Sequence, residues 1–201
     1  MTPAGPQDLR ADLEIISNHV PVAARVLDVG CGTGDLMASL VAHRQVDARG
    51  LEIDGANVAA AVARGLSVVQ GDADVDLADY PDDAFEVAIL SQTLQTTRHP
   101  HLVLAELLRL APRAFVSFPN FAHWRVRLSL LWGGRMPVTR LLPLQWYETP
   151  NIHHVTVDDF RAYLADRRIT VERAWFLNRD RPTSAAAANF RAEHAVFLIR
   201  R

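Results

Sequence analysis

In the run RVLDVGCGTGDL (residues 25–36), Gly30, Gly32 and Gly34 follow a short apolar stretch and open a helix-like one. Glycine at such a bend lets the main chain turn sharply and lets a ligand approach the backbone closely. A loop of this kind at the carboxyl end of a parallel strand is where nucleotide-type ligands sit. The G-x-G-x-G spacing is shorter than the G-x-G-x-x-G that cradles a pyrophosphate. Three acids accompany the loop. Asp28 precedes it within an apolar strand, where a carboxylate needs hydrogen bonds or a cation. Glu52 lies about 20 residues on, at the end of the second β-like run, placed to accept from a ribose diol. Asp72 ends the third run in VVQGDAD, where it can accept from an adenine amino group.

A fitting cation for Asp28 is the α-ammonium of an amino-acid-bearing ligand, reached directly or through water. Ribose, adenine and such a tail together describe S-adenosylmethionine better than NAD. The competing reading is an ordinary glycine turn flanked by surface acids. Cys31, inside the loop, is expected to fill space rather than act as a nucleophile.

Other candidates for direct chemistry are few. Ser91 and Gln92 end the fourth β-like run, contacting the cofactor or capping the next turn. His153 and His154 offer a general base or one metal ligand, but a tandem pair on extended chain points its side chains apart. No metal site is expected. His99, before Pro100, is expected to cap a helix. All 21 basic residues are arginines. Without lysine there is no P-loop lysine, no Schiff base for pyridoxal chemistry and no lysine general base.

The elements that must position these residues alternate. Residues 24–30, 48–54, 66–72, 85–91 and 114–120 read as strands, several without polar alternation, as for strands covered on both faces. Residues 34–44, 55–65 and 100–110 read as helices, with Pro100 in a first turn and Gly65 at a C-terminus. Such alternation implies βαβ crossovers and a parallel sheet. A helix over 156–168, capped by Thr156, is followed by strands at 169–178 and 194–201 joined by a turn or flexible loop, so the last two strands should pair as a hairpin. The fold class is α/β, five parallel strands plus a terminal antiparallel pair, in a single domain.

Composition sets the outer bounds. The 201 residues suffice for one substantial core. With 49% hydrophobic and 22% charged residues, a soluble globular domain is expected. The net charge of -2 supplies no general field for nucleic acid or an anionic membrane, so neither is an expected partner. A single cysteine excludes an internal disulfide and fits a reducing cytosol. The stretch MTPAGPQDLRADLEII lacks the positively flanked apolar run of a secretion signal, and no run of about 18 apolar residues exists.

The ordered set Asp28, Gly30, Gly32, Gly34, Glu52, Asp72 resembles the class I S-adenosylmethionine-dependent methyltransferase superfamily, whose Rossmann-like sheet has seven strands with the last reversed. LSQTLQTTRHP (90–100), SFPNFAHWRVRLSLLWGGRMPVTRLLPLQWYETPNIH (117–153) and T-x-x-DF (156–160) narrow this to a resemblance to the methionine-biosynthesis protein MetW family, from about residue 13 to 178. The resemblance implies S-adenosylmethionine as ligand, substrate-facing groups at Ser91 and Gln92, and a complex with a homoserine O-acyltransferase. LSQTLQ stands where amino-methylating relatives carry Asn-Pro-Pro-Tyr, which disfavours amino methylation.

The stretch after the fifth strand, an insertion over 121–155, holds three of the four tryptophans together with Arg125, Arg127, Arg135 and Arg140. Phe121, Trp124, Leu128 and Leu131 fall at helical spacing, as for an amphipathic helix covering the sheet edge. The irregular segment beyond is longer than a compact domain usually holds without purpose. Trp124, Arg125, Arg135, Trp146 and Tyr147 are residue types enriched at binding hot spots, so the block reads as a lid or docking surface. Two functions stay open: a binding and regulatory subunit in methionine biosynthesis, or an independent small-molecule methyltransferase, for which positioning alone carries much of the chemistry.

Overall fold

The computed structural model describes residues 9–139 and 142–201. The first eight residues of the stretch read for a secretion signal, and Arg140 of the arginine-rich block, lie outside the described residues.

The apolar runs form β1 (Arg25–Val29), β2 (Asp47–Glu52), β3 (Ser67–Gln70), β4 (Val87–Ser91) and β5 (Arg113–Pro119), all paired in parallel. Two further strands, β6 (Thr170–Asn178) and β8 (His194–Arg200), pair antiparallel as expected. Between them lies β7 (Arg181–Pro182), making the sheet eight-stranded in the order β3-β2-β1-β4-β5-β8-β6-β7. The count thus exceeds the seven expected. Arg179 and Asp180 both adopt the left-handed conformation (φ +48° and +64°) and fold the chain back on itself, so Asn178 faces Arg181.

Four helices match the sequence: α2 (Asp35–Arg44), α3 (Gly55–Ala63), α4 (Pro100–Leu110) and α6 (Val157–Asp166). Thr156 Oγ1 accepts the Asp159 N–H at 3.1 Å, capping α6, and Pro100 opens α4. His99 precedes α4 but its side chain makes no capping bond. Its backbone N–H donates instead to Asp74 Oδ1 at 2.7 Å. The N-terminal stretch holds an unanticipated helix, α1 (Ala11–His19). The expected loop between the last strands contains the short α7 (Ala188–Arg191), because Ala188 and Ala192 are small enough to pack into the core. The block after β5 supplies α5 (Trp124–Gly133).

Side chains alternate across the strands and build a core on each face. Leu27, Val29, Leu90, Val116 and Phe118 pack against α4 and α6 through Leu104, Leu107 and Phe160. Val26, Ile89 and Phe115 pack against α1 and α2 through Ile16, Met37 and Leu40. By the same alternation Asp28, Glu52, Ser91 and Ser117 fall on the α1/α2 face, near the carboxyl ends of four adjacent strands. β1 pairs with both β2 and β4, and α2 and α4 lie on opposite faces, so a crevice opens beyond the ends of β1 and β4. Among the described residues no helix is long and apolar enough to cross a membrane.

Candidate ligand site at the carboxyl edge of the sheet

The glycine loop is pinned to β2. Gly30 donates its N–H to Leu51 O at 2.7 Å in a left-handed conformation (φ +71°), where a Cβ would collide with the Thr93 side chain. Gly32 is also left-handed (φ +56°), and a Cβ there would meet nothing within 4 Å, so the space before it is open. Gly34 closes the turn with an N–H donated to Cys31 O at 3.0 Å and stands at the N-cap of α2.

Glu52, nearly fully buried, accepts the Gly32 N–H at 2.7 Å and the Asp54 N–H at 2.9 Å. Its carboxylate therefore staples the glycine loop to the approach of α3, and each oxygen keeps capacity for one more donor. Asp28 is 2% exposed, and its carboxyl makes no hydrogen bond among the described residues. Burial, then the charge of Glu52, push it up to about 7, against the pull of Arg10. Cys31 is pushed up to about 12 by burial, with Asp28 and Glu52 adding to it, so the thiol stays protonated.

Asp72 stands further along the edge, past the end of β3. Its Oδ1 accepts the Asp74 N–H at 2.9 Å and its Oδ2 pairs with Arg98 at 3.3 Å. No hydrogen bond links it to Asp28 or Glu52 among the described residues.

A second polar cluster adjoins the pair, and most of its members escaped the sequence reading. Asp12 of α1, 4% exposed, accepts from Ser91 Oγ and Ser117 Oγ, each at 3.1 Å, and from Gln92 Nε2 at 3.3 Å. Arg10 grips the same carboxylate with Nε and Nη2, both at 3.2 Å. Gln92 reaches on to His194 Nδ1 at 3.4 Å. Burial alone would raise Asp12, but Arg10 outweighs it with help from His194 and Ser117 and holds the carboxyl low. His194 is lowered by burial against the pull of Asp12 and Glu193. Ser91 thus belongs to this cluster. The available signals were Leu13, Ile16 and Val20 at helical spacing, and a serine inside the apolar run AFVSFPN.

The aromatic block divides in two. At its root, Trp124 is half-buried and carries Arg125 stacked at 5.2 Å. The expected stripe does not cover the sheet: the helix starts only at Trp124, Val126 is its buried residue, and Leu131 and Trp132 are 74% and 78% exposed. Beyond it Trp146 and Tyr147, edge-to-face at 5.5 Å, are also exposed, as is Arg135. The segment is anchored where the Ile152 and His153 N–H groups donate to Gln95 O, at 2.8 and 3.0 Å. His153 and His154 both line an apolar cavity of about 300 Å3 between α4 and α6. Among the described residues no group of three or more metal-ligating side chains forms.

The family model described as "Methionine biosynthesis protein MetW" matches residues 10–199. A bifunctional methionine biosynthesis protein MetXA/MetW from Rhodopirellula baltica is 32% identical over 192 residues, covering 89% of this chain. The chain spans only 30% of the length of that relative. An S-adenosylmethionine-dependent methyltransferase from Archaeoglobus fulgidus superposes with a TM-score of 0.70 at 14% identity, over 96% of this chain and 92% of its own. The [4+2]-cyclase SpnF superposes at 0.68 with 16% identity, over 94% of this chain and 80% of its own.

Proposed function

The chain belongs to the MetW family of methionine biosynthesis proteins and has a class I methyltransferase-like fold, and from that premise we propose that it binds S-adenosylmethionine and modulates a homoserine O-acyltransferase in complex with it. The observation that carries the ligand is Asp28: a buried carboxyl without a hydrogen bond among the described residues, near the open space at Gly32. An α-ammonium group would satisfy that carboxyl, and its charge would hold it ionised. The spare lone pairs of Glu52 suit a ribose diol, Asp72 an adenine amino group, and Gly30, Cys31 and Gly34 shape the loop between them. Ser91 stands with Asp12 at the far side. When bound, the ligand supplies a sulfonium with a transferable methyl group.

The partner is supported by the Rhodopirellula relative, whose printed name joins MetXA and MetW in one chain. It is further supported by Leu131, Trp132, Trp146 and Tyr147, which are apolar and exposed together with Arg135. Trp124 and Arg125 stand at the root of this surface. If the ligand alters affinity for the acyltransferase, the acyltransferase alters affinity for the ligand by the same factor.

A second reading, an independent small-molecule methyltransferase, is favoured by the Asp12–Ser91–Ser117–His194 cluster, polar groups set at the same edge as the ligand site. The fold does not choose, since a cyclase shares it. Acyltransferase turnover, measured with and without this chain across S-adenosylmethionine concentrations, separates the two. The proposal expects the rate to change when the chain is added and again as the ligand saturates. An unchanged rate, with methyl transfer to small acceptors by the chain alone, selects the second reading.

A further inference from the structure

Four strands along the sheet from Asp28, roughly 19 Å by inter-strand spacing, lies a cavity of about 590 Å3 with a different character. It is lined by the start of α5, the β6–β7 turn and α7, and its lining includes Arg125, Arg179, Arg181 and Arg191. None of these four guanidinium groups is held in an ion pair among the described residues. The left-handed turn at Arg179 and Asp180 presents Arg179 and Arg181 on either side of its tip. The nearby acids are Asp180 in the turn and Glu193, which is buried and accepts the Arg179 backbone N–H at 3.0 Å.

The arginines set the sign of charge the cavity favours, and His123, which also lines it, adds an unmet donor. Its ring is 2% exposed, and burial lowers it despite the attraction of Glu193, favouring the neutral form. The Arg125 backbone N–H donates to Nδ1 at 3.4 Å, so the ring proton sits on Nε2. That Nε2–H is buried and has no hydrogen-bond partner among the described residues. A buried donor left unsatisfied is costly, and an acceptor oxygen would relieve it.

The geometry points to a binding site for a small polyanion, an organic phosphate or polycarboxylate whose oxygens engage the arginines and the His123 Nε2–H. Guanidinium forks match oxyanions in pairs, and the volume falls in the range of metabolite pockets. This goes beyond the ligand and partner proposed above and does not rest on them.

Pyrophosphate and citrate, titrated separately into the full chain by calorimetry, test it. Saturable one-to-one binding of either is expected, the preferred anion showing whether the natural ligand bears phosphate or carboxylate groups. Affinity should fall about tenfold in the Arg179→Gln/Arg181→Gln double variant and less in Arg191→Gln. Both variants change exposed side chains, and their far-UV circular dichroism should match the parent. Three outcomes overturn the site: no saturation with either anion, equal affinity in the double variant, or binding that vanishes at about 0.15 M salt as diffuse surface attraction does.

Discussion

The carboxyl edge around Asp28 and the exposed arm from Leu131 to Tyr147 are built on opposite terms. At the edge, polar groups are taken out of water and fastened to one another. Glu52 holds two backbone N–H groups, and Asp12 holds two serines, a glutamine and an arginine. On the arm, Leu131, Trp132, Trp146 and Tyr147 are left in water. Preorganised polar groups discriminate a small ligand because each unmet donor or acceptor is costly. Exposed indole and leucine surface gains by being covered over a broad area, as at the centre of a protein interface.

The sharpest break between the two regions is expected from Gly32→Val. The substitution forces a β-branched residue into a left-handed bend and fills the open space, so S-adenosylmethionine affinity should drop by about 100-fold or more in calorimetry. Unchanged affinity would separate the glycine loop from the ligand. Next comes the Leu131→Asp/Trp132→Asp double variant, expected to weaken co-purification with the acyltransferase about 30-fold while ligand affinity stays within about twofold. The reverse pattern would make the arm a lid over the ligand.

The smallest effect sharpens the electrostatics. Asp28 is raised from 3.8 to about 7, so between those values the native state holds more protons than the unfolded state. Its contribution to stability therefore declines as pH rises through that window and is lowest above about 7. Ligand affinity runs the opposite way, weakening about tenfold per unit as pH falls below the Asp28 value, with proton uptake on release. Asp28→Asn should remove the stability decline and raise the melting temperature at pH 8 by about 5 °C. A melting profile with the parent's pH dependence would show that Asp28 is not the group that titrates.

Local features were legible from composition and spacing alone. The glycine bends, Thr156 and Pro100 depend on neighbours within a turn, and the βαβ rhythm implied a sheet of five parallel strands, though not their order across it. What escaped depends on distant segments meeting. Asp12 and Ser117 are 105 positions apart and meet only because α1 packs over the ends of β4 and β5. Asp72 can be placed past the end of a strand by sequence, but its pairing with Arg98 comes from the loop before α4. The stripe through Leu128 and Leu131 fits a helix that covers the sheet edge as well as it fits a docking surface. Spacing reports which side of a helix is apolar, not whether the same chain covers it. β7 was missed because two residues leave no periodicity to read.

The arm also has an optical consequence. Trp132 and Trp146 stand in water, whereas Trp175 lies half-buried between His19 and Phe115. Indole emission moves to shorter wavelength when its surroundings lose water, so two of the chain's four tryptophans sit where a docking protein would change their colour. The molecule carries, without any attached dye, its own reporter of what touches that surface.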